Sequence, residues 1–262
     1  MVLKLKIRFS SVVGFLVLLL LILPLVIVVV TSFGTEPAIS FPIKGFTFEW
    51  YHNVFQQPDF VDGMKMSFIV AILASGIALI VGIPAVYALT RFQIHRKNWF
   101  QHIFLSPALI PEIVIGFALY QTLVISFGWP LFISLLIGHF LLCMPYVIRL
   151  LTAGMMDLDK RIEEAAWMVG YNKVITFFKV VIPNIKQSIM AAFILSFITS
   201  FNNIPITLFM NGPSLSMLPT SILNYLENNY DPTVSAVSVI LMIITGALMM
   251  IAEKYLGLNK LT

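Results

Sequence analysis

The stretch EEAAWMVGYNKVITFFKVVIP, residues 163–183, is a polar, helix-forming segment in a chain that is otherwise mostly apolar. Just before it, Asp159 is typical of an N-cap, whose side chain accepts hydrogen bonds from the free N–H groups of the next helical turn. Gly170 can adopt the left-handed conformation that ends a helix, and Asn172 can cap a second helix. The sequence therefore predicts two short helices joined by a tight turn.

The first of these helices has a small apolar face and two central carboxylates. The small and apolar residues follow the i, i+3, i+4, i+7 spacing of one helical face, which consists of Ile162, Ala165, Ala166 and Val169. Glu163 and Glu164 are expected to project elsewhere. A helix that lies on a lipid surface usually presents Lys and Arg on its polar face, so the two carboxylates favour a protein partner. The alternative is an amphipathic loop that rests on the lipid surface.

The composition is that of an integral membrane protein with a single domain. Of the 262 residues, 59% are hydrophobic and 11% are charged, whereas soluble domains carry about 25% charged residues. Six apolar runs have the roughly 20 residues that a helix needs to cross a bilayer. They cover about residues 11–33, 66–90, 102–127, 131–150, 186–209 and 233–252. The first run is longer than the roughly 7–15 apolar residues of a cleavable signal peptide, and we expect it to be retained as a span.

The basic residues indicate the orientation of the chain. If the N-terminus is cytoplasmic, only Lys44 and Lys65 of the sixteen Lys and Arg residues lie on the outer side. This asymmetry is the positive-inside pattern of membrane proteins. It predicts a multi-pass protein with both termini in the cytoplasm. The net charge of +4 is therefore explained by the orientation of the chain in membrane lipid, and it does not indicate a nucleic-acid partner.

No pattern in the sequence predicts catalysis or a bound cofactor. The phosphate-binding loop GxxxxGK[ST] of nucleotide hydrolases does not occur in the sequence. Cys143 is the one cysteine, which excludes an intrachain disulfide and a cysteine-based metal site. The four histidines lie in separate segments, which is typical of structural or interfacial histidines. We therefore expect a non-enzymatic protein that binds neither a metal nor a cofactor.

The segment quoted first also carries a family resemblance. Glu164-Ala165-Ala166, followed by Gly170 and then by Ile182-Pro183, resembles the EAA motif of ATP-binding-cassette importer permeases. The family pattern ends in Ile-x-Leu-Pro where this chain has Val180-Val181-Ile182-Pro183, which is a conservative departure. Ser106-Pro107 and Pro111-Glu112 in the third run agree with the same family. Three further stretches are similar to its spermidine/putrescine permease group, and to the C-type subunit in particular: Leu195-Ser196-Phe197, Gly212-Pro213-Ser214 and Met217-Leu218-Pro219.

The resemblance implies an all-α type I importer permease of about six transmembrane helices in the inner membrane of a bacterium. The segment of about residues 157–184 would contain the coupling helix, which sits in a cleft of a cytoplasmic ATPase dimer that uses ATP and Mg. A second, homologous permease would complete the pathway as a heterodimer, and an extracytoplasmic binding protein would deliver the solute. The residues that the resemblance assigns to ATPase coupling are Glu163, Glu164, Ala165, Ala166, Gly170 and Pro183.

Three polar residues within the apolar runs are candidates for the solute pathway. Glu112 lies deep in the third run, where an ionisable group is costly and therefore marks a pathway or a partner. Asn202 and Asn203 lie in the fifth run, where amides either line a pathway or join helices by hydrogen bonds. A carboxylate suits a cationic amine such as spermidine or putrescine.

Two alternatives remain open at this point. The polyamine group has acidic residues near the place of Asn202 and Asn203, so the two amides favour a zwitterionic solute such as an aminophosphonate as a competitor. An ion-coupled secondary transporter is the alternative of another class. Such transporters use ion-coupling carboxylates and often contain inverted repeats of broken helices, and the sequence offers only Glu112 and no clear internal repeat.

Overall fold

The computed structural model describes residues 2–212 and 215–256, and within this part every regular element is a helix. Pro213, Ser214 and residues 257–262, the predicted cytoplasmic C-terminal end, lie outside the described residues. The helices in chain order are α1 Val2–Thr31, α2 Glu49–Gln56, α3 Pro58–Arg91, α4 Lys97–Leu105, α5 Glu112–Leu119, α6 Leu131–Asp157, α7 Lys160–Met168, α8 Lys173–Thr176, α9 Ile182–Asn184, α10 Lys186–Phe201, α11 Pro205–Phe209, α12 Leu218–Asn228 and α13 Thr233–Leu256.

Three irregular helical segments extend these elements. A 3-10 turn, Ser106–Leu109, follows α4, and two π-helical segments follow α5 and α8. The π segments are Tyr120–Ser126 and Phe177–Val181. Each continues the winding of the preceding helix, so α5 reaches Ser126, and α8 passes directly into α9.

Four of the described helices are long and apolar enough to cross a membrane, and the number is six if each of two bent helix pairs counts as one span. The first pair, Lys97–Leu109 with Glu112–Ser126, bends by 96°, and the second, Lys173–Asn184 with Lys186–Phe201, bends by 69°. The third predicted span is therefore not one straight helix, because the chain turns sharply at Ile110 and Pro111. The all-α class is confirmed.

The described residues divide into two compact units. One contains the chain up to Val61 together with Ile222–Ile244, and the other contains Asp62–Ser221 and the end of α13. In the first unit, Trp50 on α2 donates a hydrogen bond from Nε1 to the carbonyl of Gly34 at 2.6 Å. Most side chains of α1 between residues 11 and 25 are exposed, which is what a helix requires when its surroundings are lipid rather than protein.

The second unit contains both predicted functional regions. Its core lies where α3, α6 and α10 pack together, and it includes Ala78, Cys143, Val147 and Ala192. Small residues on these helices allow their backbones to approach closely, as is usual in membrane bundles. The buried thiol of Cys143 donates to the carbonyl of Ser196 at 3.5 Å. Cys143 is therefore a small residue of the buried core.

The fifth predicted span is also interrupted. Helix α10 ends at Phe201, and the short helix α11 begins at Pro205. The three residues between them, Asn202 to Ile204, are not helical. Such a break exposes backbone groups that need new partners at membrane depth, and the amide side chain of Asn203 supplies one of them.

Candidate functional site

The two-helix segment is built from the local signals that the sequence contains. Asp159 caps α7, because its Oδ1 accepts from the backbone N–H of Arg161 at 2.9 Å. Its Oδ2 accepts from the Arg161 guanidinium at 2.9 Å. These side-chain and backbone hydrogen bonds from Arg161 lower the pKa of the exposed Asp159 carboxyl below its usual value.

Helix α7 ends in the turn that the glycine predicted. Gly170 has a φ of 93°, in the left-handed region. The N–H of Tyr171 donates to the carbonyl of Ala166, and that of Gly170 donates to Trp167, both at 3.0 Å. These two bonds satisfy carbonyls that the helix end leaves free. Asn172 then caps α8 by accepting from the N–H of Ile175 at 2.8 Å. The predicted caps at Asp159 and Asn172 and the predicted helix end at Gly170 are therefore confirmed.

Helix α7 packs against the permease through only two residues, Glu163 and Ala166, which are buried. Ile162 and Val169, which the periodicity placed on one face with Ala166, are 43% and 75% exposed. Glu164 and Ala165 are also exposed. Glu163 faces inward because its carboxylate has an ionic partner inside the protein.

That partner is Arg91, at the end of α3. The Arg91 guanidinium forms a salt bridge with Glu163, and the side chains of the pair are 9% and 3% exposed. The hydroxyl of Tyr87, one turn earlier on α3, donates to the other carboxylate oxygen at 3.0 Å. Nη2 of Arg91 also donates to the carbonyl of Leu158 at 2.8 Å. In the sequence, Arg91 stands out only as one of the cytoplasmic charges, since nothing local links it to a residue 72 positions away.

Pro183 lies in the last turn before the bend between α9 and α10. The winding that starts at Lys173 ends at Asn184, one residue after this proline.

The structure brings two of the three predicted pathway residues together. Glu112 is the first residue of α5, and its Oε2 accepts from Nδ2 of Asn203 at 2.7 Å. Asn203 is 5% exposed, and its Oδ1 accepts from the N–H of Ile206 at 3.0 Å. Asn203 thus joins the break in the third predicted span to the break in the fifth. Asn202 is exposed and, among the described residues, its side chain forms no hydrogen bond.

A buried polar chain continues from Asn203. The hydroxyl of Thr207 donates to the Asn203 carbonyl at 3.0 Å. His139 on α6 lies 3.2 Å from the Thr207 hydroxyl through Nε2 and 2.7 Å from the Ser200 hydroxyl through Nδ1. His139 is fully buried, so it has the structural role expected of a histidine in an apolar run. It holds α6, α10 and α11 together.

The residues 85–258 match the profile of the family described as "Binding-protein-dependent transport system inner membrane component". The chain belongs to this family. The permease is therefore a multi-pass membrane subunit of a binding-protein-dependent ATP-binding-cassette importer, a transport subunit rather than an enzyme. This finding decides against an ion-coupled secondary transporter and confirms the resemblance noted in the sequence.

Several curated relatives cover most of the permease. It is 28% identical to the spermidine/putrescine transport system permease protein PotC of Haemophilus influenzae, over 91% of this chain and 93% of the relative. It is 25% identical to the putrescine transport system permease protein PotI of Escherichia coli, over 87% and 84%. It is also 25% identical to the putative 2-aminoethylphosphonate transport system permease protein PhnV of Salmonella choleraesuis, over 90% of each chain.

A solved structure supports the same fold. A chain of a bacterial ABC transporter involved in the import of the acidic polysaccharide alginate superposes with a TM-score of 0.76, at 18% identity and over 96% of both chains. The fold of the permease is therefore that of importer permeases. At this identity the likeness carries no information on the solute.

Proposed function

We propose that this permease forms one half of the membrane pathway of an importer for a small amine. In this proposal a different, homologous permease supplies the other half, and an extracytoplasmic binding protein delivers the solute. Two cytoplasmic ATPase subunits, which use ATP and Mg, drive the cycle. Both termini lie in the cytoplasm of a bacterium, so α7 also faces the ATPase side of the inner membrane.

The observation that carries the coupling role is the exposure of α7 and its turn. The helix is capped at both ends, but only two of its residues are buried. Met168 is 88% exposed and Val169 75%, and adjacent apolar side chains exposed on a segment outside the bilayer support a surface that binds a partner. Beside them, Glu164 lines a groove of about 180 Å³ together with Trp167 and Lys173. An apolar tip with an adjacent carboxylate suits insertion into a cleft of the ATPase.

In this mechanism ATP closes the two ATPase subunits and moves the coupling helices that are seated in them. The helices of the bundle transmit that movement, and the pathway changes from inward-open to outward-open. Glu164 makes a polar contact with the ATPase, and the small side chain of Ala165 permits close approach. Gly170 supplies the turn that presents this surface. Glu163 acts from inside the permease rather than from the docking surface.

Co-purification from native membranes in mild detergent tests this proposal. We expect two copies of an ATPase and one different permease for each copy of this chain. Ala165→Trp should reduce the recovery of the ATPase, because Ala165 lies on the exposed docking face. Ala153→Trp, the same change at an exposed position of α6, serves as the matched control and should leave recovery unchanged. Equal recovery of the ATPase with both variants would contradict docking through α7.

The proposed solute is a cationic amine. The relatives PotC and PotI are named for spermidine and putrescine, both of which carry more than one ammonium group. The Glu112 carboxylate could pair with an ammonium group directly, and its contact with Asn203 holds it at the junction of the two breaks. Glu112 and Asn203 are thus the proposed solute contacts in this half of the pathway.

A zwitterionic aminophosphonate is the second candidate, because the relative PhnV is named for 2-aminoethylphosphonate. It brings its own anion, which Asn202 could meet with its exposed amide. Uptake into proteoliposomes, with each unlabelled solute as competitor, distinguishes the two. Competition by putrescine or spermidine supports the first candidate, and competition by the aminophosphonate alone supports the second. ATP-driven uptake that neither solute inhibits would contradict both.

A further inference from the structure

The contact between α7 and α3 contains one buried charged group of α7. Chain connections link α7 to α6 through Leu158 and Asp159, and to α8 through the turn at Gly170. Helix α3 has no such connection, because it ends 69 residues before α7 begins, at Arg91 and Lys160 respectively. The contact between α3 and α7 is made by the buried carboxylate of Glu163, with donors on the last turns of α3.

Both oxygens of that carboxylate are occupied. Tyr87 donates to Oε2, and Nε of Arg91 donates to Oε1. The two donors are four residues apart and therefore lie on one face of α3. The second arm of the guanidinium, Nη2, donates to the carbonyl of Leu158, which immediately follows α6. One side chain on α3 thus holds α7 and the start of the α6–α7 connection at the same time.

We propose that Arg91 is a positioning residue that ties the coupling helix to α3, so that a displacement of α7 moves α3 with it. The proposal rests on the docking of α7 proposed above. Apolar contacts can slide past each other, but a planar guanidinium that holds a carboxylate and a carbonyl fixes both distance and orientation. The ring of Tyr87 also contacts the segment after α7, where it lies 4.8 Å from the ring of Phe177, centroid to centroid.

The link also explains why Glu163 is buried next to an exposed carboxylate. Glu164 remains free to face the ATPase, whereas Glu163 is committed to the permease itself. The two adjacent acidic residues therefore have different roles: Glu164 receives the movement from the ATPase, and Glu163 transmits it to α3. A merely structural ion pair would be needed for assembly but would leave the ratio of transport to ATP hydrolysis unchanged in the assembled complex.

The experiment measures uptake per ATP hydrolysed by the whole transporter in proteoliposomes, supplied with solute-loaded binding protein. Arg91→Gln should retain the ATPase subunits and their basal hydrolysis but lower uptake per ATP about tenfold, a factor within the range of allosteric coupling. Arg91→Lys keeps the cation but loses the planar fork, and it should give an intermediate value. The matched control is Arg96→Gln, an exposed arginine in the loop after α3, which should behave as wild type.

A wild-type ratio of uptake to hydrolysis in the Arg91→Gln transporter would overturn the proposal. If that variant fails to assemble, Arg91→Lys decides: a lowered ratio at normal assembly supports the link, and a wild-type ratio contradicts it. The proposed function fails in a different way. If the unmodified chain recovers no ATPase, docking itself is wrong, whereas normal ATP-driven uptake that is insensitive to Arg91 refutes only the positioning role.

Discussion

Replacement of Gly116 by alanine tests the close approach of the two broken spans. A Cβ atom at this position of α5 would lie 2.9 Å from Cα of Ile206 and 3.0 Å from the carbonyl oxygen of Pro205. Carbon atoms pack at about 3.5–4.0 Å. Because both obstacles belong to the backbone of α11, no side-chain rotation relieves them, and α5 and α11 must move apart by roughly 0.5–1 Å.

The expected cost follows from two opposing effects. Insertion of a methyl group into a packed contact costs about 1–3 kcal/mol. Alanine in place of glycine within a helix returns roughly 0.5–1 kcal/mol. The free energy of unfolding should therefore fall by about 0–2.5 kcal/mol, with a central value near 1 kcal/mol, and each 1 kcal/mol lowers Tm by roughly 2–4 °C in a chain of this size. Transport should fall as well, because the same separation stretches the contact between Glu112 and Asn203.

The assay is thermal unfolding of the purified transporter, with uptake measured on the same samples. Gly76→Ala is the matched control: this glycine lies in α3, and its added methyl group would meet nothing within 4 Å, so Tm should stay unchanged or rise. An equal Tm for Gly116→Ala and Gly76→Ala would refute the close approach of α5 and α11.

A double-mutant cycle makes the test sharper. At Gly138 on α6, an added Cβ would lie 2.7 Å from Cγ2 of Ile206, which is a side-chain atom. Ile206→Ala removes that atom and should relieve the Gly138→Ala clash, so the two changes should couple favourably. The same change should give no relief to Gly116→Ala, because the backbone of residue 206 remains.

Three further changes test the coupling segment and the pathway. Gly170→Ala forces a φ of 93° on an L-residue, which costs roughly 1–2 kcal/mol, and should lower ATPase recovery; Gly128→Ala, at a φ of 67° outside the segment, should not. Asp159→Ala should speed hydrogen exchange of the first amides of α7, whereas Asp159→Asn keeps the cap. Because the pKa of Asp159 is lowered, the cap is fully present above the usual carboxyl pKa and is lost as the pH falls through the lowered value; protection that is independent of pH would contradict this. Glu112→Gln keeps an acceptor for Asn203 but removes the charge, so it should lower uptake of a cationic amine with little change in Tm. The control is Glu227→Gln, on the exposed end of α12. Normal uptake by the Glu112→Gln transporter would show that Glu112 is not part of the pathway.

The sequence predicted the coupling segment well because its structure is determined locally. The cap at Asp159, the left-handed Gly170 and the cap at Asn172 each depend on hydrogen bonds within a few residues. The two proposed pathway residues were predicted from a different signal, namely polar residues in apolar runs. That signal identified Glu112 and Asn203 separately, but their contact spans 91 positions of the chain and has no local trace.

The inward orientation of Glu163 could not be predicted for the same reason. Helical periodicity ranks faces by hydrophobicity, and by that measure Glu163 belongs on the outside. A distant arginine reverses the ranking, because a buried carboxylate with a cation and a hydroxyl as donors no longer has the desolvation cost of an isolated charge. Likewise, hydropathy averaged over a window treats the third and fifth spans as continuous, although Pro111 and the run Asn202-Asn203-Ile204-Pro205 are visible breaks.

The single carboxylate of Glu112 limits how much positive charge of a solute this half of the proposed pathway can balance. Within the described residues Glu112 forms no ion pair. Its carboxylate accepts a hydrogen bond from the amide of Asn203 and lies at the N-terminal end of α5, where a negative charge is favoured. One carboxylate balances one ammonium group. Spermidine or putrescine would therefore need further acidic residues from the second permease, whereas an aminophosphonate would need none. The presence or absence of acidic residues at the matching positions of the proposed second permease would therefore distinguish the two solutes.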